Sequence, residues 1–300
     1  MSEKKEKKSS SGSKPKKPKR KKGGFPWTIL GIALLVLLSG IIYLSWERPS
    51  GKGKAEVKVK ERPEKPAIVT PPVEKPAKEI RPRIAIIIDD LGNSKKLDDE
   101  VLSIDAPLTL SVFPLLQGSK KIAEKAGSNG KEVMLHLPME PHDYPQANPG
   151  QGALFTSMDD IAIITQLYED MNSVPGIKGV NNHMGSRFTE DRERMRIVLK
   201  QVKERGLYFI DSKTSPQSKS DKMAREMGLK AGARDVFLDN EQEEGYILGQ
   251  IEELKKIARN RGSAIGIGHP HPATIAALKK AVPDLEKEFE IVHASEIVRY

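Results

Sequence analysis

The run Ile84-Ala85-Ile86-Ile87-Ile88-Asp89-Asp90-Leu91-Gly92 decides the fold. Five consecutive apolar residues, with Pro82 before them and two carboxylates after, suit a parallel strand that is covered on both faces. Comparable runs recur at 108–113, 132–135, 176–180, 207–210, 235–238, 264–267 and 290–292. Between most of them lie stretches with helical apolar spacing at 119–126, 159–171, 191–205, 243–261 and 272–281, several closed by Gly. Alternation of this kind predicts an α/β fold with a parallel sheet, open or closed into a barrel, and eight candidate strands favour a barrel.

Outward from this segment the composition divides the 300-residue chain. The overall charge is +9, from 50 Lys plus Arg against 41 Asp plus Glu. Residues 84–300, however, carry 28 basic and 33 acidic groups, so the folded part is net acidic and the excess positive charge lies before it. A basic domain wrapped by nucleic acid is thereby disfavoured, because the phosphate-neutralising charge is not where the core is. The absence of Cys excludes disulfides, thiolate zinc sites, iron–sulfur ligation and Cys nucleophiles, so any metal must be held by His, Asp or Glu.

The N-terminal third organises itself by charge and hydropathy. Residues 1–24 form a Lys-rich tail, and no charged residue occurs from Gly23 to Trp46. At about 1.5 Å per residue that stretch is long enough for a hydrocarbon layer of about 30 Å. Trp27, Tyr43 and Trp46 sit where interfacial aromatic belts belong, and no A-x-A-like cleavage site follows Leu44. Residues 25–46 are therefore expected to be an uncleaved signal anchor, making the protein a single-pass membrane protein. The positive-inside rule places the N-terminus in the cytoplasm and the folded domain outside it, periplasmic or at the cell surface. Residues 47–83, with seven Pro and alternating charges, are expected to be a disordered tether, and 84–300 the folded domain.

Polar groups gather just past the apolar runs: Asp89 and Asp90, His136, the run Asn181-Asn182-His183, Asp211, Asp239 with Asn240, and His269. In a barrel these positions ring one face, where catalytic groups of such folds collect. Asp89 and Asp90, being adjacent, are expected to point to opposite sides of an extended strand. Asn, Gly and Ser neighbours suit His183 to a tight turn. His269 and His271 lie two apart before a helix, and His269 is favoured because it is nearer the strand. Glu140, Asp211, Asp239 and His271 are further candidates, and Lys213, Thr214 and Ser215 face the same rim. His142 and His293 read as structural. One or two Asp with two or three His is a ligand set for zinc or another borderline divalent ion, with a carboxylate and a His left over for acid–base work. No G-x-S-x-G elbow, P-loop or G-x-G-x-x-G is present.

With Met134-Leu135-His136-Leu137-Pro138-Met139-Glu140-Pro141, Asn182-His183-Met184-Gly185-Ser186, Phe209-Ile210-Asp211-Ser212 and Gly268-His269-Pro270-His271-Pro272 added to the opening run, residues 84–300 resemble the divergent polysaccharide deacetylase family, related to the NodB-type carbohydrate esterases. The resemblance implies a distorted (β/α) barrel of about seven to eight parallel strands. It implies a metal-dependent hydrolase of C–N amide bonds, with zinc as the expected ion, acting on an N-acetylated envelope polysaccharide or peptidoglycan. It also implies roles: Asp89 as base, Asp90 and His136 as metal ligands, and His269 as acid. The second His of the H-x-x-x-H motif is replaced by Glu140 and the Arg-Pro-Pro motif by the Asn-His-Met-Gly-Ser run, so His183 is expected to supply the missing nitrogen ligand. The alternative is a non-catalytic, membrane-tethered glycan-binding or scaffold module on the same barrel.

Overall fold

The computed structural model describes residues 81–300. The expected basic tail, the spanning segment and nearly all of the tether lie outside these residues. Among the described residues no helix is long and apolar enough to cross a membrane.

Nine strands build one sheet: β1 (Arg83–Leu91), β2 (Thr109–Val112), β3 (Glu132–Met139), β4 (Gly179–Met184), β5 (Tyr208–Asp211), β6 (Ala231–Ala233), β7 (Val236–Phe237), β8 (Ser263–Gly268) and β9 (Glu290–Ile291). The order is β6-β5-β4-β3-β2-β1-β8-β7, with β9 beside β1, and every ladder is parallel. Only Arg234 and Asp235 separate β6 from β7. The chain therefore steps from the edge bonded to β5 straight to the edge bonded to β8, and the sheet curls into a barrel-like form whose seam is bridged by the backbone.

Strand pleating sorts the side chains. From β1, Ile84, Ile86 and Ile88 face the layer of helices, while Ala85 and Ile87 join Met134, Ile210, Ile265 and Ile267 in a separate inner cluster. Gly232 belongs to this interior, since a Cβ there would stand 3.0 and 3.1 Å from the Cδ1 atoms of Ile265 and Ile210. The floor is closed by Val292, Ala294, Ile297 and Val298. There the Glu132 carboxylate accepts from Thr109 Oγ1 (3.1 Å), Tyr208 Oη (2.7 Å) and the Ser295 amide (3.1 Å).

The outer helices are α1 (Lys95–Leu102), α2 (Ser119–Ser128), α3 (Asp160–Ser173), α4 (Arg192–Glu204), α5 (Ser220–Glu226), α6 (Glu244–Arg261) and α7 (Pro272–Glu288). Five match the expected stretches. The short, charge-rich α1 and α5 carry too few apolar residues to announce themselves by periodicity. Strands β3 and β4 also run further than their apolar runs, through His136 and through Asn181 to His183. Polar residues continue these strands because they bond to one another inside the barrel.

Asp170 on α3 is fully buried, with Oδ1 accepting from Gln166 Nε2 at 3.0 Å and Oδ2 without a partner. A Cβ on Gly152 would stand 2.5 Å from that Oδ1, so the loop after β3 seals the carboxyl from solvent. Burial pushes the carboxyl up to about 8. The folded chain thus keeps a proton that the unfolded chain releases above 3.8, and stability falls as pH rises from 3.8 to about 8, by at most about 1.4 kcal/mol per unit. Asp170→Asn should remove that slope. Urea melts are expected to show little difference from wild type near pH 4 and a gain on the order of a few kcal/mol at pH 8; a difference independent of pH would mean that folded Asp170 is already ionised.

Candidate active site

The inward residue one step beyond the inner layer differs in kind from those below it. In strand order these positions are Asp89, Ser111, His136, Asn181, Ser212, Asp239 and His269, and all but His269 are fully or nearly fully buried. Together they line the carboxyl-terminal mouth of the barrel.

Asn181 joins the first four. Its Oδ1 accepts from Ser111 Oγ (2.6 Å) and His136 Nδ1 (2.8 Å), and its Nδ2 donates to Asp89 Oδ1 (2.8 Å). The bond to Asn181 assigns the His136 proton to Nδ1 and leaves the Nε2 lone pair facing the mouth. The Phe113 ring packs against both imidazoles, 5.1 Å from His136 and 4.7 Å from His183.

Asp90 reaches the same place by a backbone device. Its φ is +61°, and the β1–β2 register shifts between Ile88 and Leu91. This bulge turns the carboxylate towards the mouth, so the adjacent aspartates do not take opposite sides as a regular strand would require. Asp90 Oδ1 lies 3.0 Å from His136 Nε2 and 3.2 Å from His183 Nδ1, and the two nitrogens are 3.1 Å apart. His183 is still on β4, and the turn expected around it starts one residue later, at Met184 (φ 49°) and Gly185 (φ 84°).

These three atoms test whether a metal ion fits. Neighbouring ligands are roughly 3.3 Å apart around tetrahedral zinc and roughly 3.0 Å apart in an octahedral site with bonds near 2.1 Å. The observed triangle falls within this range. Asp90 Oδ1 is buried, with the two imidazole nitrogens as its close polar neighbours. Burial opposes ionisation of Asp90, but the two imidazoles outweigh it and hold the carboxyl well below the usual carboxylate range. With both imidazoles neutral, an anionic oxygen and two ring nitrogens within 3.2 Å of one another form a donor set that a borderline divalent ion fits.

Across the mouth, His269 Nδ1 meets Asp239 Oδ1 at 3.0 Å. Asp239 Oδ2 accepts from the His269 amide (2.6 Å) and Thr274 Oγ1 (2.7 Å). Burial lowers the pKa of His269, but Asp239 and the charge of Asp89 more than reverse this and raise it to about 9. His271 lies outside the pair, its ring 5.8 Å from that of His269 and its Nε2 beside Gln242. Asp239, His269 and His271 also bring potential ligand atoms within 4.8 Å of one another, yet both Asp239 oxygens are occupied by donors, which makes this a hydrogen-bonded dyad.

Two other candidates serve the loops. Glu140 accepts from the amide and hydroxyl of Thr156 (both 2.6 Å) and from Arg187 Nη1 (3.2 Å), tying down the Pro-rich excursion after β3. Asp211 is occupied by the Lys213 amide (2.9 Å), Ser218 Oγ (2.7 Å) and Lys213 Nζ (3.1 Å). Thr214 donates to the Met184 carbonyl and Ser215 to Glu190. His142 lies 3.2 Å from Glu190, and His293 contacts the Gly130 carbonyl at the floor. Sequence reasoning missed Ser111, Thr274 and Arg234. Arg234 occupies the seam, donates to the Ser212 and Lys213 carbonyls (2.7 and 3.0 Å) and stacks 4.8 Å over Phe237, whose ring lies 5.2 Å from that of His269. Ser111 had a signal, a hydroxyl at an inward position of an apolar strand; Arg234 had none, because its place depends on the closing of the seam.

The sequence model of the family described as divergent polysaccharide deacetylase matches residues 86–298. An uncharacterised protein of Escherichia coli K12, YibQ, is 35% identical over 216 residues, covering 72% of this chain and 67% of that protein. An uncharacterised protein of Haemophilus influenzae is 31% identical over 210 residues, covering 70% and 74% respectively. The crystal structure of an uncharacterised protein of Agrobacterium tumefaciens C58 superposes with a TM-score of 0.71 at 30% identity, covering 74% of this chain and 91% of that one.

The dyad makes its own prediction. The raised pKa means that charged His269 contributes stability fully below its unfolded value of 6.5 and loses it as pH rises through about 9. In Asp239→Asn the pKa of His269, followed by NMR of its ring nitrogens, should fall clearly below about 9. A value remaining near 9 would show that Asp239 is not what holds the proton.

Proposed function

The chain belongs to the divergent polysaccharide deacetylase family, and from this we propose that it is a divalent-metal-dependent hydrolase removing N-acetyl groups from an envelope polysaccharide or peptidoglycan. The observation carrying this reading is the convergence of Asp90 Oδ1, His136 Nε2 and His183 Nδ1 beside a separate buried carboxylate, Asp89, and opposite a His–Asp dyad. Asp90, His136 and His183 would hold the ion. When bound, it would polarise the amide carbonyl and acidify a water molecule, and zinc suits the donors.

The chain's own residues do the proton work. Asp89, fixed by Asn181 Nδ2, accepts a proton from the attacking water as the new C–O bond forms. His269, which carries a proton at neutral pH and is aimed by Asp239, donates to the leaving nitrogen as the C–N bond breaks, giving acetate and a free amine. Asn181 holds the His136 tautomer and the Asp89 rotamer together, so base and ligand are positioned by one amide. The uncharged stretch 23–46 behind the Lys-rich tail supports a further reading, that this domain works outside the cytoplasm on a membrane tether.

Acetate release from N-acetylated glycan by the purified full chain, together with its metal content, tests the reading. Asp89→Asn is expected to keep the metal and lose roughly 10²–10⁴-fold in rate, and His136→Ala or Asp90→Ala to lose the metal as well. Absence of both metal and acetate release, with glycan binding intact, would overturn it in favour of a binding module.

A further inference from the structure

A cleft of about 560 Å³ opens where the β1–α1 and β2–α2 loops meet, lined by Lys95, Lys121 and Lys125 with Asp98, Asp99 and Gln117. That volume is within the roughly 300–1,000 Å³ typical of ligand sites. The cleft lies on the loops that leave the mouth-forming strands β1 and β2. Gly92, which lines it, is two residues past Asp90, so its backbone is within roughly 7 Å of that residue. Its other wall, from Leu116, begins three residues after Phe113, the ring packed on His136 and His183. The two walls are locked together, since a Cβ on Gly118 would stand 2.3 Å from the Gly92 carbonyl oxygen.

Its charge differs in sign from the net charge of the domain. Three ammonium groups face two carboxylates, in a domain where acidic groups outnumber basic ones by 33 to 28. Lys125 pairs with Asp99; Lys95 and Lys121 are close enough to the same carboxylate to favour its ionised form, but they are exposed and make no direct ion pair among the described residues. Asp98 is buried beneath the floor, where it accepts from the Gly92 amide at 3.2 Å. No aromatic side chain lines the cleft, so stacking on a sugar ring is not its mode of recognition. The α2 N-terminus that opens on it has no side-chain cap and no acidic residue in its first turn.

We propose that this cleft is a subsite for a carboxylate-bearing substituent of the glycan, with Lys95 and Lys121 selecting acidic polymer over neutral polymer. The inference rests on the deacetylase reading for its polysaccharide substrate, and adds that the sugars flanking the reacting one are anionic. Lys95 and Lys121 touch none of the groups placed in the chemistry, so they set specificity and leave the reaction alone.

Equilibrium binding to the full chain in low salt decides it, using three probes. One is a neutral N-acetylglucosamine hexamer, one an alternating N-acetylglucosamine–N-acetylmuramic acid hexamer with free lactyl carboxylates, and one the latter with its carboxylates amidated. The acidic hexamer should bind about tenfold more tightly than the neutral one, the scale that two exposed charge pairs supply, and the amidated hexamer should bind like the neutral one. Lys95→Gln combined with Lys121→Gln should bring the preference within about twofold and leave neutral binding unchanged. Equal affinity for acidic and neutral probes, or a preference that survives the double substitution, would overturn the subsite. Acetate release without that preference removes the subsite and leaves the hydrolase; the preference without any acetate release, also present in Asp89→Asn, does the reverse.

Discussion

One buried amide organises the mouth of this barrel. Asn181 accepts hydrogen bonds from Ser111 and His136 and donates one to Asp89, so four neighbouring strands contribute to that single cluster. A carboxamide suits the position because it offers an acceptor and a donor on one rigid plane. It satisfies a buried carboxylate without neutralising it and leaves one imidazole nitrogen free for a ligand. The positions of Asp90 and His183 have meaning only against the His136 ring that this amide orients.

The curled parallel sheet makes such a cluster possible. Alternation along each strand gives two apolar sets, one covered by helices and one filling the barrel, and the next inward position of each strand lies at the same height. Side chains far apart in sequence are thereby stacked into one polar layer on an apolar base. The layer is buried except at its mouth, where hydrogen bonds and unlike charges are strong enough to hold Asp90 ionised and His269 protonated against the cost of burial. The loops carry the remaining differences: Glu140 clamps one wall, Lys213 and Asp211 another, and the lysine-lined cleft lies along a third.

Much of this was legible because burial and chemistry leave local marks. Runs such as Ile84–Ile88 announce doubly covered strands, and a polar residue directly after such a run marks the barrel's rim, which identified Asp89, His136, Asp239 and His269. What was illegible is equally specific. Nothing local says that Asp90 adopts a positive φ, because the bulge follows from pairing with β2. Nothing local places Arg234, which depends on how the ends of the sheet approach one another. Glu140, two turns of the pleat beyond His136, had the chemistry of a ligand and proved to be a clamp, since Thr156 and Arg187 reach it from distant segments.

The sequence by itself determined the alternation of strand and helix, the family, and the set of Asp and His residues available for chemistry, because each depends on residue type and spacing along the chain. Only the tertiary structure decided which of those residues meet. The triangle of Asp90, His136 and His183, the pairing of His269 with Asp239, and the role of Asn181 depend on strand register and on one backbone dihedral. Those quantities are set by packing across the whole barrel, and a shift of one residue in a ladder would turn the shifted strand's side chains to the opposite face.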